Sequence, residues 1–256
     1  MADAKILEKG LKVVDELAQS AEGMTAVELA SSIGVHKTSV YRYLNTLLNA
    51  GYIQNNGDSR YHLGNKILEL GSQLLRRMPL RETAHPFLVK LSADTQKTVH
   101  LCVLDGHDVI YIDKVESQKT LPMLSRIGSR APAYCTGVGK ALLSGFPMDQ
   151  VASLLREFPP PPRTLATITD PMQLLEELKT TAERGYAIDN GEHEEGIMCF
   201  AAPVRGYGGE IAGAVSITGL KREFNDTKRA ETLIAVLKKA TAVISEALGY
   251  MKHQKD

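Results

Sequence analysis

No apolar run in the 256-residue chain approaches the roughly 18 residues that a membrane-spanning helix needs, so a spanning segment is excluded. Cysteine is scarce. Cys102, Cys135 and Cys199 are odd in number and far apart, which excludes a disulfide framework and points to a reducing cytoplasm. The opening Met-Ala-Asp-Ala-Lys-Ile lacks the basic-then-apolar order of a secretory signal. Net charge is lacking too: 30 Lys and Arg balance 30 Asp and Glu, so no global basic field advertises nucleic acid. No internal repeat is visible.

What is there is an ordinary globular composition, 43% hydrophobic and 23% charged, on a chain long enough for two domains. Leu7, Leu11, Val14 and Leu17 recur at helical spacing and predict an amphipathic first helix ended by Glu22-Gly23. Thr25-Ala-Val-Glu28 is a capping box for a short helix over about 26–33. Gly34 supplies a tight turn, and a third helix follows from about Lys37 to Ala50, burying Val40, Leu44, Leu47 and Leu48. Gly51 stops it. Tyr52–Gln54 and Arg60–Leu63 read as strands around the hairpin Asn55-Asn-Gly-Asp-Ser59.

The next helix, about Asn65 to Met78, carries Ile67, Leu70 and Leu74 in line with Leu63, widened by Leu68 and Leu75. So broad an apolar face needs a cover, and a second subunit is favoured over packing on its own domain. Beyond Leu80 helices and strands mix. A helix over 82–95 precedes strands 98–104 and 109–115, joined through Asp105-Gly106. Helices over about 137–144, 149–157 and 171–185 precede strands 198–205 and 211–218, which flank Gly208-Gly209. Pro159–Pro162 is an extended connector, and a last helix spans about 226–248. The expected class is α+β, with a winged helix-turn-helix followed by an antiparallel sheet flanked by helices. The expected domains are 1–64, a linker helix over 65–79, a second domain over 80–250 and a tail over 251–256.

Helix, tight turn, helix and hairpin is the arrangement that lays one helix in the major groove and a wing near the backbone. From His36 to His62 the basic residues Lys37, Arg42 and Arg60 face only Asp58. Opposite Val40 and Leu44 lie Lys37, Thr38, Ser39, Tyr41, Arg42, Asn45 and Thr46. Short hydroxyls near the helix start suit phosphate, while Arg42 and Asn45 suit guanine and adenine edges. Arg60 reads equally as a backbone contact from the wing or as a solvated hairpin charge. The candidate DNA-binding set is Thr25, His36, Lys37, Thr38, Ser39, Tyr41, Arg42, Asn45, Thr46 and Arg60. A winged helix used for protein contacts would show apolar anchors on this face instead. With so little positive charge in one copy, tight binding of double-stranded operator DNA calls for a homodimer.

Enzyme readings fare worse. Gly137-Val-Gly-Lys-Ala141 resembles a phosphate loop, but Tyr134 and Ala141 stand where glycine and a hydroxyl residue are needed. Cys199 with His193 or His100 as base is a formal nucleophile pair, yet an apolar strand around Cys199 favours a buried structural thiol. His100-x-Cys102 and the His193 cluster with Glu192, Glu194 and Glu195 offer no complete metal set. No catalytic residue, metal or cofactor is expected. A sensor that only dimerises is the remaining rival.

Several blocks in order resemble the IclR family of bacterial transcriptional regulators: Val35-His-Lys-Thr-Ser-Val-Tyr-Arg-Tyr-Leu44, Arg60-Tyr-His-Leu-Gly64, Ser125-Arg-Ile-Gly128, Gly137-Val-Gly-Lys-Ala141, Gly185-Tyr-Ala-Ile-Asp-Asn-Gly-Glu192, Glu195–Val204 and Ala214–Thr218. The resemblance implies a GAF-like second domain, an assembly that is a dimer or a dimer of dimers, and a small carboxylate effector. Its matching effector positions are Gly137, Val138, Asp189, Cys199, Ser216 and Thr218. Gly137 and Val138 would offer helix-start amides to a carboxylate, Ser216 and Thr218 hydroxyls from one strand face, and Asp189 an acceptor for ligand hydroxyls or a loop amide. One departure is His36, where the family often has serine. Histidine is a poor N-cap, so either the recognition helix starts less firmly or His36 itself meets DNA. Thr98-Val-His-Leu101, Tyr111–Val115, Met123–Gly128 and Glu194-Glu-Gly196 look most like the branch that represses sugar-acid catabolism and responds to 2-keto-3-deoxygluconate. The function so implied is a repressor of a carbon-catabolic operon, modulated by a sugar or keto acid.

Overall fold

The computed structural model describes residues 2–57, 59–117 and 125–251, without the side chains of residues 2–4. Asp58 of the hairpin, Met123 and Leu124 of the resembling block, and residues 252–256 of the expected tail lie outside the described residues. The chain divides into two compact units, residues 1–77 and 78–256.

The first unit is built from α1 (Ala2–Gln19), β1 (Met24–Thr25), α2 (Ala26–Ser32), α3 (Lys37–Asn49), β2 (Ile53–Asn55), β3 (Arg60–Leu63) and α4 (Asn65–Arg76). Its core is Val13, Leu17, Leu29, Ile33, Val40, Leu44 and Ile53, all nearly inaccessible to water. Each such aliphatic side chain contributes about 1.5–3 kcal/mol on burial. The capping box forms as spaced: Thr25 Oγ1 accepts from the Glu28 amide at 3.3 Å, and Glu28 Oε2 accepts from the Thr25 amide at 2.7 Å. Gly34 takes φ +64° in the turn, a backbone region that residues with a Cβ rarely enter.

Two expectations need correction. In α1 the buried residues are Val13 and Leu17, whereas Leu7 and Leu11 are 65% and 55% exposed. An 18-residue helix is about 27 Å long and overruns so small a core, leaving its first half uncovered. The wing, expected as two strands, is a three-stranded sheet in the order β1-β3-β2, because Met24 and Thr25 pair with Tyr61 and Arg60. In α4 no residue is buried, and Leu68, Leu70 and Leu74 are exposed.

The second unit contains α5 (Pro79–Thr95), β4 (Thr98–Asp105), β5 (Asp108–Val115), β6 (Arg130–Pro132), α6 (Gly137–Leu143), α7 (Met148–Glu157), α8 (Pro171–Arg184), β7 (Ala187–Asp189), β8 (Ile197–Arg205), β9 (Ile211–Leu220) and α9 (Thr227–Ala247). The strands make one antiparallel sheet in the order β6-β5-β4-β9-β8-β7. The fold is thus α+β, a helix-turn-helix unit followed by a sheet covered by helices. Helix α5 starts at Pro79 rather than near Glu82, since proline fits the first helical turn, where no amide partner is required.

Successive strand residues point to opposite faces, and the sheet uses this fully. Val99, Leu101, Phe200, Ala202, Val215 and Ile217 face α5 and α9 in one core. Cys102, Ala201 and Ala214 face α6, α7 and α8 in another. The second face does not stay apolar along its length. Toward one end its positions are His100, Cys199, Ser216 and Thr218, which line a cavity.

Candidate DNA-reading surface and effector cavity

On α3, Val40 and Leu44 are sealed in the core, which turns Lys37, Thr38, Tyr41, Arg42, Asn45 and Thr46 outward; Ser39 is half-buried. Among the described residues no hydrogen bond or ion pair ties down the side chain of Arg42 or Asn45, so both side chains are free at the surface. Besides His36 and Thr38, which bond to each other, three other candidates are engaged internally. Thr46 Oγ1 donates to the Arg42 carbonyl at 3.0 Å. Thr25 Oγ1 donates to Glu28 Oε2 at 3.0 Å while serving as the cap. Arg60 Nη1 donates to the Gly23 carbonyl at 2.8 Å and lies 3.5 Å from Glu28 Oε2, fastening the wing to the start of α2.

His36 corrects the expectation of a weak helix start. It is the N-cap of α3, and its Nδ1 accepts from the Thr38 amide at 3.4 Å and sits 3.0 Å from Thr38 Oγ1. An imidazole nitrogen with a free lone pair can replace the serine oxygen, provided that the ring is neutral and carries its proton on Nε2.

The cavity of the second unit encloses about 460 Å3, within the range of small-molecule sites. All six effector candidates line it: Gly137, Val138, Asp189, Cys199, Ser216 and Thr218. Register explains why. Asp189 of β7 lies opposite Cys199 of β8, which lies opposite Thr218 of β9, so three strands set these side chains in one row. In the next row Ser216 lies opposite His100 of β4. A bulge then brings Tyr111 of β5 opposite Cys102, on the cavity side. Sequence reasoning missed Tyr111, Ser125, Arg130 and Arg163 as wall residues, and weighed His100 and His193 only as bases or metal ligands.

His100 organises the polar wall. Its Nε2 is 2.8 Å from Ser125 Oγ, and its Nδ1 is 3.3 Å from Ser216 Oγ and 3.4 Å from Thr218 Oγ1. Burial, helped by the Lys114 charge, lowers its pKa to about 3, so the ring is neutral. The Cys199 thiol is pushed well up, first by burial and then by Asp189, which leaves no thiolate for nucleophilic work. Among the described residues no histidine bonds to it. Among the described residues no cluster could hold a metal ion.

The two glycines of the Gly137-Val-Gly motif are packing requirements. A Cβ on Gly139 would lie 2.2 Å from the Ala133 carbonyl oxygen, and one on Gly137 would lie 2.4 Å from Cys199 Sγ. The Gly137 amide is directed at that sulfur and partly offsets the rise in the thiol's pKa. The motif lysine, Lys140, is 1% exposed and is committed to an ion pair with Glu192.

Asp189 accepts through Oδ1 from the Glu192 amide at 2.8 Å. Burial, more than the neighbouring Glu192 charge, raises its pKa from 3.8 to about 7. The folded chain therefore keeps this proton up to about pH 7, while the unfolded chain sheds it near 4. The stability it contributes is full below pH 4 and is lost as pH rises toward 7. Asp189→Asn preserves the Oδ1 acceptor and removes the ionisation. It should flatten the fall in melting temperature between pH 4 and 8; an unaltered profile would count against a buried neutral Asp189.

Comparison with known proteins completes the assignment. The model of the bacterial transcriptional regulator IclR C-terminal domain matches residues 72–246, and that of the IclR helix-turn-helix domain matches residues 6–57. The chain is 37% identical over 224 residues to the HTH-type transcriptional regulator KdgR of Escherichia coli strain K12, covering 87% of this chain and 85% of that protein. It is 33% identical over 240 residues to the acetate operon repressor of Salmonella typhimurium, covering 93% and 88%. The crystal structure of Thermotoga maritima IclR shares 36% identity with a TM-score of 0.79, covering 96% of this chain and all of that one. These relatives are regulators, which decides against the enzyme readings. Among the described residues no helix is long and apolar enough to cross a membrane. The chain belongs to the IclR family of bacterial DNA-binding transcriptional regulators, in a KdgR-like branch.

Proposed function

We propose that this regulator represses a carbon-catabolic operon and leaves its operator when a small sugar or keto acid fills the second-domain cavity. One observation carries the ligand class: the row Asp189, Cys199 and Thr218, with Ser216 and His100 beside it, offers hydrogen-bonding groups at successive strand positions. Such a wall matches a ligand hydroxylated along its length, whose hydroxyls can join its hydrogen bonds where an aromatic ring cannot. Arg163 at the cavity supplies the charge for a carboxylate, while Arg130 in the same wall is already paired with Asp105 and Asp108. Repression follows the acetate operon repressor among its relatives.

Residues 1–64 read the DNA, through Lys37, Thr38, Ser39, Tyr41, Arg42 and Asn45 of α3. Residues 80–250 form the effector domain, and the linker helix between them pairs two chains. The exposed Leu68, Leu70 and Leu74 of α4 support a homodimer, alone or doubled into a tetramer.

Thermal shift against 2-keto-3-deoxygluconate, other sugar acids and aromatic acids tests the ligand class. A saturating sugar acid at about 100 times its Kd should stabilise the fold by roughly 2.7 kcal/mol and weaken operator retardation. Stabilisation by aromatic acids alone would overturn the reading.

A further inference from the structure

The outer wall of the cavity is the loop of residues 190–196 between β7 and β8, which contributes His193 and Glu194 to the lining. Its backbone is held from two sides. Asp189 Oδ1 accepts from the amides of Glu192 and His193, at 2.8 and 3.4 Å. Thr164 and Thr167, ahead of α8, donate to the carbonyls of Gly191 and Glu192, each at 2.7 Å.

From beneath, one side chain reaches the same residue. Lys140 Nζ on α6 donates to Glu192 Oε1 at 2.5 Å and lies 3.6 Å from Glu177 Oε1 of α8. Arg184 holds Glu177 in turn at 2.7 Å. Lys140 and Glu192 are 1% and 5% exposed, and neither lines the cavity. The pair joins the floor, because α6 begins with Gly137 and Val138, to the wall made by the loop. Among the described residues no hydrogen bond reaches Glu192 Oε2, although the Asn190 amide favours the carboxylate. A buried ion pair is weak evidence for stability, since well-packed apolar residues often replace one without loss. Its value here lies in position.

We propose that Lys140 and Glu192 are positioning residues that fix the 190–196 loop over the cavity and so set effector affinity without touching the effector. The effector part rests on the function proposed above; the loop part does not. The test compares the full chain with Lys140→Met/Glu192→Met, which removes both charges at similar volume. Three quantities are read: melting temperature, hydrogen exchange at the amides of Glu192 and His193, and affinity for 2-keto-3-deoxygluconate. The expected result is a melting temperature close to the parent's, exchange faster by about tenfold, and affinity lower by about tenfold. Parental exchange at both amides would overturn the proposal, as would parental affinity in a protein whose loop exchanges faster. If the parent itself binds no sugar acid, the function proposal fails, while the exchange rates still decide the loop's latch. Should the double variant not fold, Glu192→Gln, which keeps the shape and weakens the bond to Lys140, takes its place. Accelerated exchange supports the proposal and a parental rate overturns it.

Discussion

Arg42→Ala should weaken operator recognition at least about 30-fold and leave the fold intact. Arg42 stands exposed on α3, opposite Val40 and Leu44, and no partner among the described residues restrains it. A bidentate arginine contact with a guanine edge is worth about 1–3 kcal/mol. In a symmetric dimer both half-sites lose it, so specific affinity should fall by at least about 30-fold. Binding to unrelated duplex should change far less, since phosphate neutralisation supplies that component. Fluorescence anisotropy on operator and scrambled duplexes at one salt concentration separates the two, with melting temperature as the folding control. Unchanged operator affinity would mean that α3 is not the reading helix. Thr46→Ala is the internal contrast. Its hydroxyl proton already goes to the Arg42 carbonyl, so a much smaller loss is expected.

Gly137→Ala should damage stability and ligand binding together. The new methyl would sit 2.4 Å from Cys199 Sγ and 3.4 Å from Ala201 Cβ. Neither neighbour can retreat easily, because both lie on β8, which is hydrogen-bonded to β9 on one side and β7 on the other. Overpacking of this kind costs about 1–3 kcal/mol, which lowers the melting temperature of a unit this size by roughly 2–12 °C. Cys199→Ala removes the sulfur, so the double variant should recover most of the loss, and the coupling energy measures the contact. Gly139→Ala permits no such rescue, since its methyl would meet the Ala133 backbone. A Gly137→Ala protein that melted and bound like the parent would remove this helix start from the cavity floor.

The reading unit was legible because its signals are local. Thr25 and Glu28 stand three residues apart, and Gly34 marks the turn whichever way the rest of the chain runs. Periodicity in α1 misled for a physical reason: an amphipathic stripe shows that a face wants cover, not how far the core reaches to cover it. The strands that escaped notice, β1, β6 and β7, have two or three residues each, too few to alternate. The cavity was half legible. Its glycines, Asp189 and the β9 hydroxyls sit in dense motifs, while Tyr111, Arg130 and Arg163 reach it from separate segments. A signal for His100 existed. Thr98 and His100 are polar on one face of a strand whose other face is Val99 and Leu101, which marks that face as wet or ligand-lined.

The pairing of β4 with β9 also fixes an order of events during synthesis. His100 meets Ser216 across 116 residues of chain, so the sheet that carries the cavity cannot close until β9 has been made. The reading unit, by contrast, closes its contacts within residues 1–77. At about 5–20 residues per second, the interval between Arg77 and Leu220 lasts roughly 7–30 s. Throughout it the growing chain carries a finished DNA reader with no sensor. A chain truncated before β9 would keep α3 and lose Ser216 and Thr218, and with them the cavity wall that the proposed effector would meet.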